Sequence, residues 1–137
     1  MKRHATAIWN GGGKEGNGYL TTQSGVLTKT PYTFLSRFGT EQGTNPEELL
    51  AAAHAGCFTM KLSFVLGEAG HVLETLETTA FIHFENGAIT LSNLEVKARV
   101  PGISQDKLDA CTQEAATNCP MSRVLNAKVV VTASLIN

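Results

Sequence analysis

The run from Asn45 to Leu66 restricts the fold more than any other stretch. Asn45 is placed to cap a helix. Pro46 suits the first helical position, where its missing N–H costs nothing, and Glu48 stands where a capping-box carboxylate reaches back to the cap. From Leu49 and Leu50, through Phe58 and Met60, to Phe64, Val65 and Leu66, apolar residues face every direction. A helix without a polar face is expected in the middle of a protein. His54, Lys61 and two glutamates interrupt or flank it, which argues against a membrane span. Gly67 or Gly70 is placed to end it. Cys57 lies mid-helix behind Gly56, and a glycine there costs about 1 kcal/mol of helix propensity against alanine. Such a glycine suits a place where something approaches the backbone closely.

The 137 residues, 42% of them hydrophobic, suit one domain over residues 1–137 with a real core. Net charge is -1 and no basic block stands out, so nothing favours nucleic acid. The charged start, Met1 to His4, is followed by no apolar run of signal-peptide length, and a cytoplasmic location is expected. Three cysteines at 57, 111 and 119 are odd in number and irregular in spacing. They are not a secreted disulfide framework; in a reducing compartment they are redox, catalytic or inert thiols.

Around the central helix, His4 to Asn10 alternates as a first strand and Tyr19 to Thr22 as a second. The glycines at 11, 13 and 16 match a dinucleotide-binding spacing, but a strand follows where that fingerprint needs a helix. Gly11 to Gly18 therefore reads as a hairpin loop. Val26 to Thr28 reads as a further strand broken by Thr30-Pro31, and Tyr32 to Phe38 as strand or extended chain. After the helix, Val72 to Glu85 and Ala88 to Val100 form a long hairpin around Asn86-Gly87. A phase shift between Leu91 and Leu94 signals a bulge. Ser104 caps a second helix carrying Leu108, Cys111 and Ala115 on one stripe, which makes Cys111 a core residue. Cys119-Pro120 breaks that helix and opens a short one, Met121 to Asn126. Ala127 to Ile136 alternates as the last strand. The pattern is α+β with mostly antiparallel sheets around a buried central helix. One small sheet is too little to cover that helix, and dimerisation over it is expected.

Cys119, ahead of the short helix, stands where exposed N–H groups favour a thiolate. A free thiol with a pKa of about 8.5 is only about 3% ionised at neutral pH. A cation near Cys57 would raise that fraction, and Arg37, between Ser36 and Phe38, is the candidate. With Glu48 engaged at the cap, Glu47 is the freer carboxylate to fix the Arg37 fork. Glu47 and Cys57 are ten residues apart, about 15 Å along an unbroken helix, so they share a site only if Arg37 spans part of the gap, the helix starts late, or a second chain contributes one of them. A buried thiolate with a second cysteine in reach suits peroxide reduction through a sulfenic acid and a disulfide, reset by an external dithiol. Leu49, Leu50, Phe58 and Met60 would suit an organic hydroperoxide.

Residues 44–58, Thr-Asn-Pro-Glu-Glu-Leu-Leu-Ala-Ala-Ala-His-Ala-Gly-Cys-Phe, resemble the central-helix motif of the OsmC/Ohr family, the osmotically inducible and organic hydroperoxide resistance proteins. Asn118-Cys119-Pro120-Met121-Ser122, with Leu125-Asn126, resembles that family's second-cysteine motif. Ser36-Arg37-Phe38 resembles the OsmC branch, and Gly11 to Gly18 lacks the arginine of the Ohr branch. The resemblance implies an OsmC-like fold and an intertwined homodimer with two sites at the subunit interface. It implies a thiol peroxidase with Cys57 peroxidatic, Cys119 resolving, Arg37 stabilising the thiolate and oxyanion, and Glu47 orienting Arg37. It implies no metal and no bound organic cofactor, with a dithiol reductant of lipoyl type by analogy with the Ohr branch.

Two rivals accompany this reading. His54 and Cys57 at i, i+3, joined by Cys119, would make a thin metal site, and His54 reads more simply as a satisfied core or interface residue. A non-enzymatic thiol switch or small-ligand module would use the same residues without turnover.

Overall fold

The computed structural model describes residues 1–136, and the chain divides into two compact units, Met1–Leu49 and Leu50 onward. In the first, β1 (Ala5–Asn10), β2 (Asn17–Thr22) and β3 (Thr30–Tyr32) form an antiparallel sheet in that order. The glycine-rich segment is the β1–β2 hairpin loop, as expected. Gly18 is required within β2, because a Cβ there would collide with the Ile8 carbonyl and the Trp9 ring. Trp9 then meets Tyr32 at 5.3 Å between centroids.

Two expectations fail in this unit. Val26 to Thr28 is a series of bends, and Thr30-Pro31, instead of breaking a strand, lies within β3. That strand is at the sheet edge, where a residue without an N–H is tolerated. Residues beyond Tyr32 are not extended: Phe34–Phe38 is a short helix, α1. Thr33 caps it, accepting from the Ser36 N–H at 3.0 Å while the Thr33 N–H donates to Ser36 Oγ at 2.8 Å. That reciprocal box satisfies two otherwise orphaned donors and overrides the strand preference of the aromatics.

Helix α2 (Pro46–Glu68) begins at the expected cap, with the Glu48 N–H donating to Asn45 Oδ1 at 2.7 Å. The Glu48 carboxylate accepts from the Thr44 hydroxyl at 2.9 Å. By length and composition alone α2 could cross a membrane. In the fold it is a core helix, with Phe58, Leu62, Val65 and Leu66 buried among Leu94, Val96, Ala98 and Leu108. Burial all round is not what a single chain provides, since Met60 and Phe64 are 66% and 61% exposed. Among the described residues, nothing beyond its chain neighbours and its own helix backbone lies within 4 Å of a Cβ built on Gly56, so the close approach expected there is also absent within one chain.

The second unit carries a three-stranded sheet ordered β4 (Thr75–Glu85), β5 (Ala88–Arg99), β6 (Lys128–Leu135). The β4–β5 hairpin turns on Asn86 and Gly87, both with positive φ (50° and 78°), the pattern of a two-residue primed turn. The bulge lies earlier than expected. His83 faces Leu91 while Phe84 faces Ile89, leaving Thr90 as the extra residue. The sheet is mixed, because β6 runs parallel to β5. Parallel neighbours need a crossover, here α3 (Gln105–Asn118) and α4 (Pro120–Val124). Ser104 caps α3, and Leu108, Cys111 and Ala115 are buried on its inner stripe as expected.

Candidate active site

In the first unit, Ser36 ties α1 to the entry of α2. Its hydroxyl lies 3.0 Å from the Thr44 carbonyl, and its own carbonyl accepts from Asn45 Nδ2 at 3.2 Å. This links the residue before Arg37 to the cap two residues before Glu47. Arg37 Nε donates to both Glu47 oxygens at 3.0 and 3.2 Å, and Nη2 donates to Oε1 at 2.7 Å. Glu47, and not Glu48, is therefore the partner of Arg37. The carboxylate holds the guanidinium in its charged form, above its already high ordinary pKa. The Phe38 ring lies 4.8 Å from Arg37 Cζ. Beside it, Trp9, Tyr32, Phe34 and Arg37 line a cavity of about 240 Å³.

In the second unit, Cys57 on α2 and Cys119, the cap of α4, are free thiols with sulfurs 3.2 Å apart. A disulfide needs about 2.05 Å. Cys119 is fully buried and Cys57 half-buried. Pro120 has no N–H, and the backbone of the next residue, Met121, is what favours the Cys57 thiolate. Burial acts more strongly in the other direction, and the neighbouring Cys119 adds to it. The Cys57 thiol is thus pushed above its ordinary pKa, not below it as the cation argument expects. Burial likewise raises the Cys111 thiol, the behaviour of an inert core cysteine. Phe58 has no exposed surface, so it packs the core and lines no accessible pocket.

His54, one turn before Cys57, is fully buried. Its Nδ1 shares a hydrogen bond with Ser92 Oγ on β5 at 2.6 Å, and its Nε2 one with Ser122 Oγ on α4 at 2.8 Å. Both ring nitrogens are thereby engaged, which is the satisfied core histidine foreseen from sequence. Among the described residues no group of three or more His, Cys, Asp or Glu gathers as a metal site. Ser92 and the Met121 backbone were not legible as site groups. Ser122 lies inside the second-cysteine motif, yet its partner is 68 residues away.

A family model described as OsmC-like protein matches residues 39–134. The chain is 44% identical over 135 residues to peroxiredoxin OsmC of Escherichia coli strain K12, covering 96% of this chain and 94% of that one. It is 33% identical over 97 residues to organic hydroperoxide resistance protein OhrA of Bacillus subtilis strain 168, covering 67% of each. The fold matches the crystal structure of an organic hydroperoxide resistance protein from Elizabethkingia anophelis with a TM-score of 0.75. Identity there is 27%, over 99% of this chain and 97% of that one.

Proposed function

The chain belongs to the OsmC/Ohr family, in its OsmC branch, and from that premise we propose that it is a thiol peroxidase reducing organic hydroperoxides. The observation that carries the reading is the Cys57–Cys119 pair, 3.2 Å apart on different elements. The Cys57 thiolate attacks the terminal peroxide oxygen, the O–O bond breaks, and the alkoxide leaves and takes up a proton. Cys57 is then a sulfenic acid. Cys119 attacks its sulfur, an S–S bond forms, and water leaves. An external dithiol returns both thiols by exchange and is itself oxidised to a disulfide.

In this reading Arg37 stabilises the thiolate and the developing alkoxide, and Glu47 fixes its fork. No metal or organic cofactor takes part. The protein works in the cytoplasm as an intertwined homodimer with two sites at its subunit interface. Three observations support a dimer. Met60 and Phe64 are exposed on α2. An open groove of about 700 Å³ runs past Gly56, Met60, Leu73 and Leu76. Every β1 side chain except Trp9 is exposed. Apolar surface of this extent marks an interaction face.

The test is hydroperoxide consumption under turnover with cumene hydroperoxide and a dithiol. The wild type should turn over and Cys57→Ser should not; equal rates reject the mechanism. One rival, a stoichiometric thiol switch, uses the same Cys57–Cys119 pair without turnover. Oxidation that stops after one equivalent, whatever dithiol is supplied, selects that rival.

A further inference from the structure

His54 connects three elements of the second unit. It lies one turn before Cys57 on α2 and holds Ser92 on β5 through Nδ1 and Ser122 on α4 through Nε2. Ser122 follows Met121, whose backbone favours the Cys57 thiolate, and stands three residues after Cys119. Helix α4 has only five residues, and its cap, Cys119, makes no side-chain capping bond. It has too few turns to hold its own geometry. The His54–Ser122 hydrogen bond therefore anchors it where the redox sulfurs need it, and Ser92, fully buried in the sheet, is the fixed end of the anchor.

The geometry points to His54 as a positioning residue that sets both sulfurs: through Ser122 it holds α4, and with it Cys119, at disulfide-forming range of Cys57. This rests on the Cys57–Cys119 thiol cycle proposed above. Burial keeps the imidazole below its ordinary pKa and so neutral at pH 7. One ring nitrogen then donates and the other accepts, so the two serines take opposite roles. A serine hydroxyl can take either role, and an alanine can take neither.

Ser122 is only half-buried, so Ser122→Ala should fold. Wild type, Ser122→Ala, Ser122→Thr and His54→Gln are equilibrated with defined ratios of reduced and oxidised dithiothreitol, and the disulfide is counted by intact mass. In that exchange two S–H bonds and the oxidant's S–S bond are lost. One protein S–S bond forms, and the two electrons and two protons pass to dithiothreitol. In parallel, Cys57 alkylation by iodoacetamide is followed against pH.

Ser122→Ala should lower the equilibrium constant for the Cys57–Cys119 disulfide about tenfold. It should also move the Cys57 alkylation midpoint to higher pH. Ser122→Thr, which keeps the hydroxyl, should return both values to those of the wild type. His54→Gln, whose amide keeps a polar group toward Ser122, should lie between. If a folded Ser122→Ala keeps the wild-type constant and pH profile, His54 is a structural residue and the assignment fails alone. If the wild type forms no Cys57–Cys119 disulfide at any ratio, the thiol cycle fails and takes this assignment with it.

Discussion

Cys119 Sγ stands 3.2 Å from Cys57 Sγ although 62 residues separate them. Closing to a bond needs about 1 Å of movement, within reach of one short helix shifting or one side chain turning. One equivalent of cumene hydroperoxide should therefore remove two hydrogens from the intact mass, with the loss mapping to a Cys57–Cys119 peptide. Cys111, on the buried face of α3, should remain a free thiol. Cys119→Ser should instead gain one oxygen at Cys57, trapped by dimedone. Oxidation scattered over all three cysteines would contradict the pairing.

The sequence revealed α2, its Asn45 cap, the Asn86-Gly87 hairpin and the α3 stripe because each rests on a local signal: a cap, a turn or a period. It did not reveal α1, since Tyr32 to Phe38 is aromatic-rich and the Thr33–Ser36 box outweighs strand preference there. The parallel pairing of β6 was hidden because alternation fixes a strand's faces and not its direction. The pairing of Arg37 with Glu47 was legible from position and residue type. The His54–Ser92–Ser122 links were not, because each partner is tens of residues away and serine carries no pattern of its own. The raised Cys57 thiol was missed for a different reason. Residue types and spacing reveal a candidate cation, whereas burial, the larger influence on this thiol, arises only from the folded packing.

The Arg37–Glu47 pair separates stability from activity. The Arg37 side chain is 35% exposed, and a partly solvated ion pair contributes about 1 kcal/mol at most. Arg37→Ala should leave the urea midpoint nearly unchanged. If the guanidinium stabilises the thiolate and alkoxide, the same change should slow the first oxidation of Cys57 about a hundredfold at neutral pH. Glu47→Gln should slow it less, because it loosens the fork and keeps the charge. A loss of only a few-fold in Arg37→Ala would leave Arg37 as a tie between α1 and α2.

Buried His54 makes stability depend on pH with a definite sign. Its folded pKa lies below the ordinary 6.5, so the native state resists a proton that the unfolded chain accepts. Its contribution is complete above about pH 6.5 and is lost as pH falls below it. Urea unfolding at pH 7.5 and 5.5 should show the wild type losing stability at the lower pH and His54→Gln losing less. The three other histidines are present in both proteins and cancel in the difference. An equal loss in both would mean that His54 takes up a proton in the fold without penalty.

Phe64 offers the sharpest test of the assembly. It is 61% exposed in the single chain, so Phe64→Glu in a monomer should change stability by about 0.5 kcal/mol or less. In a homodimer that covers this face of α2, the same change places a carboxylate in an apolar interface. The penalty is then several kcal/mol unless the subunits separate. Light scattering should give a two-chain mass for the wild type and a one-chain mass for Phe64→Glu. The wild-type melting temperature should also rise with protein concentration, as mass action requires of a dimer that unfolds to monomers. A Phe64→Glu protein that stays dimeric would place the interface elsewhere and leave the exposed α2 stripe without a partner.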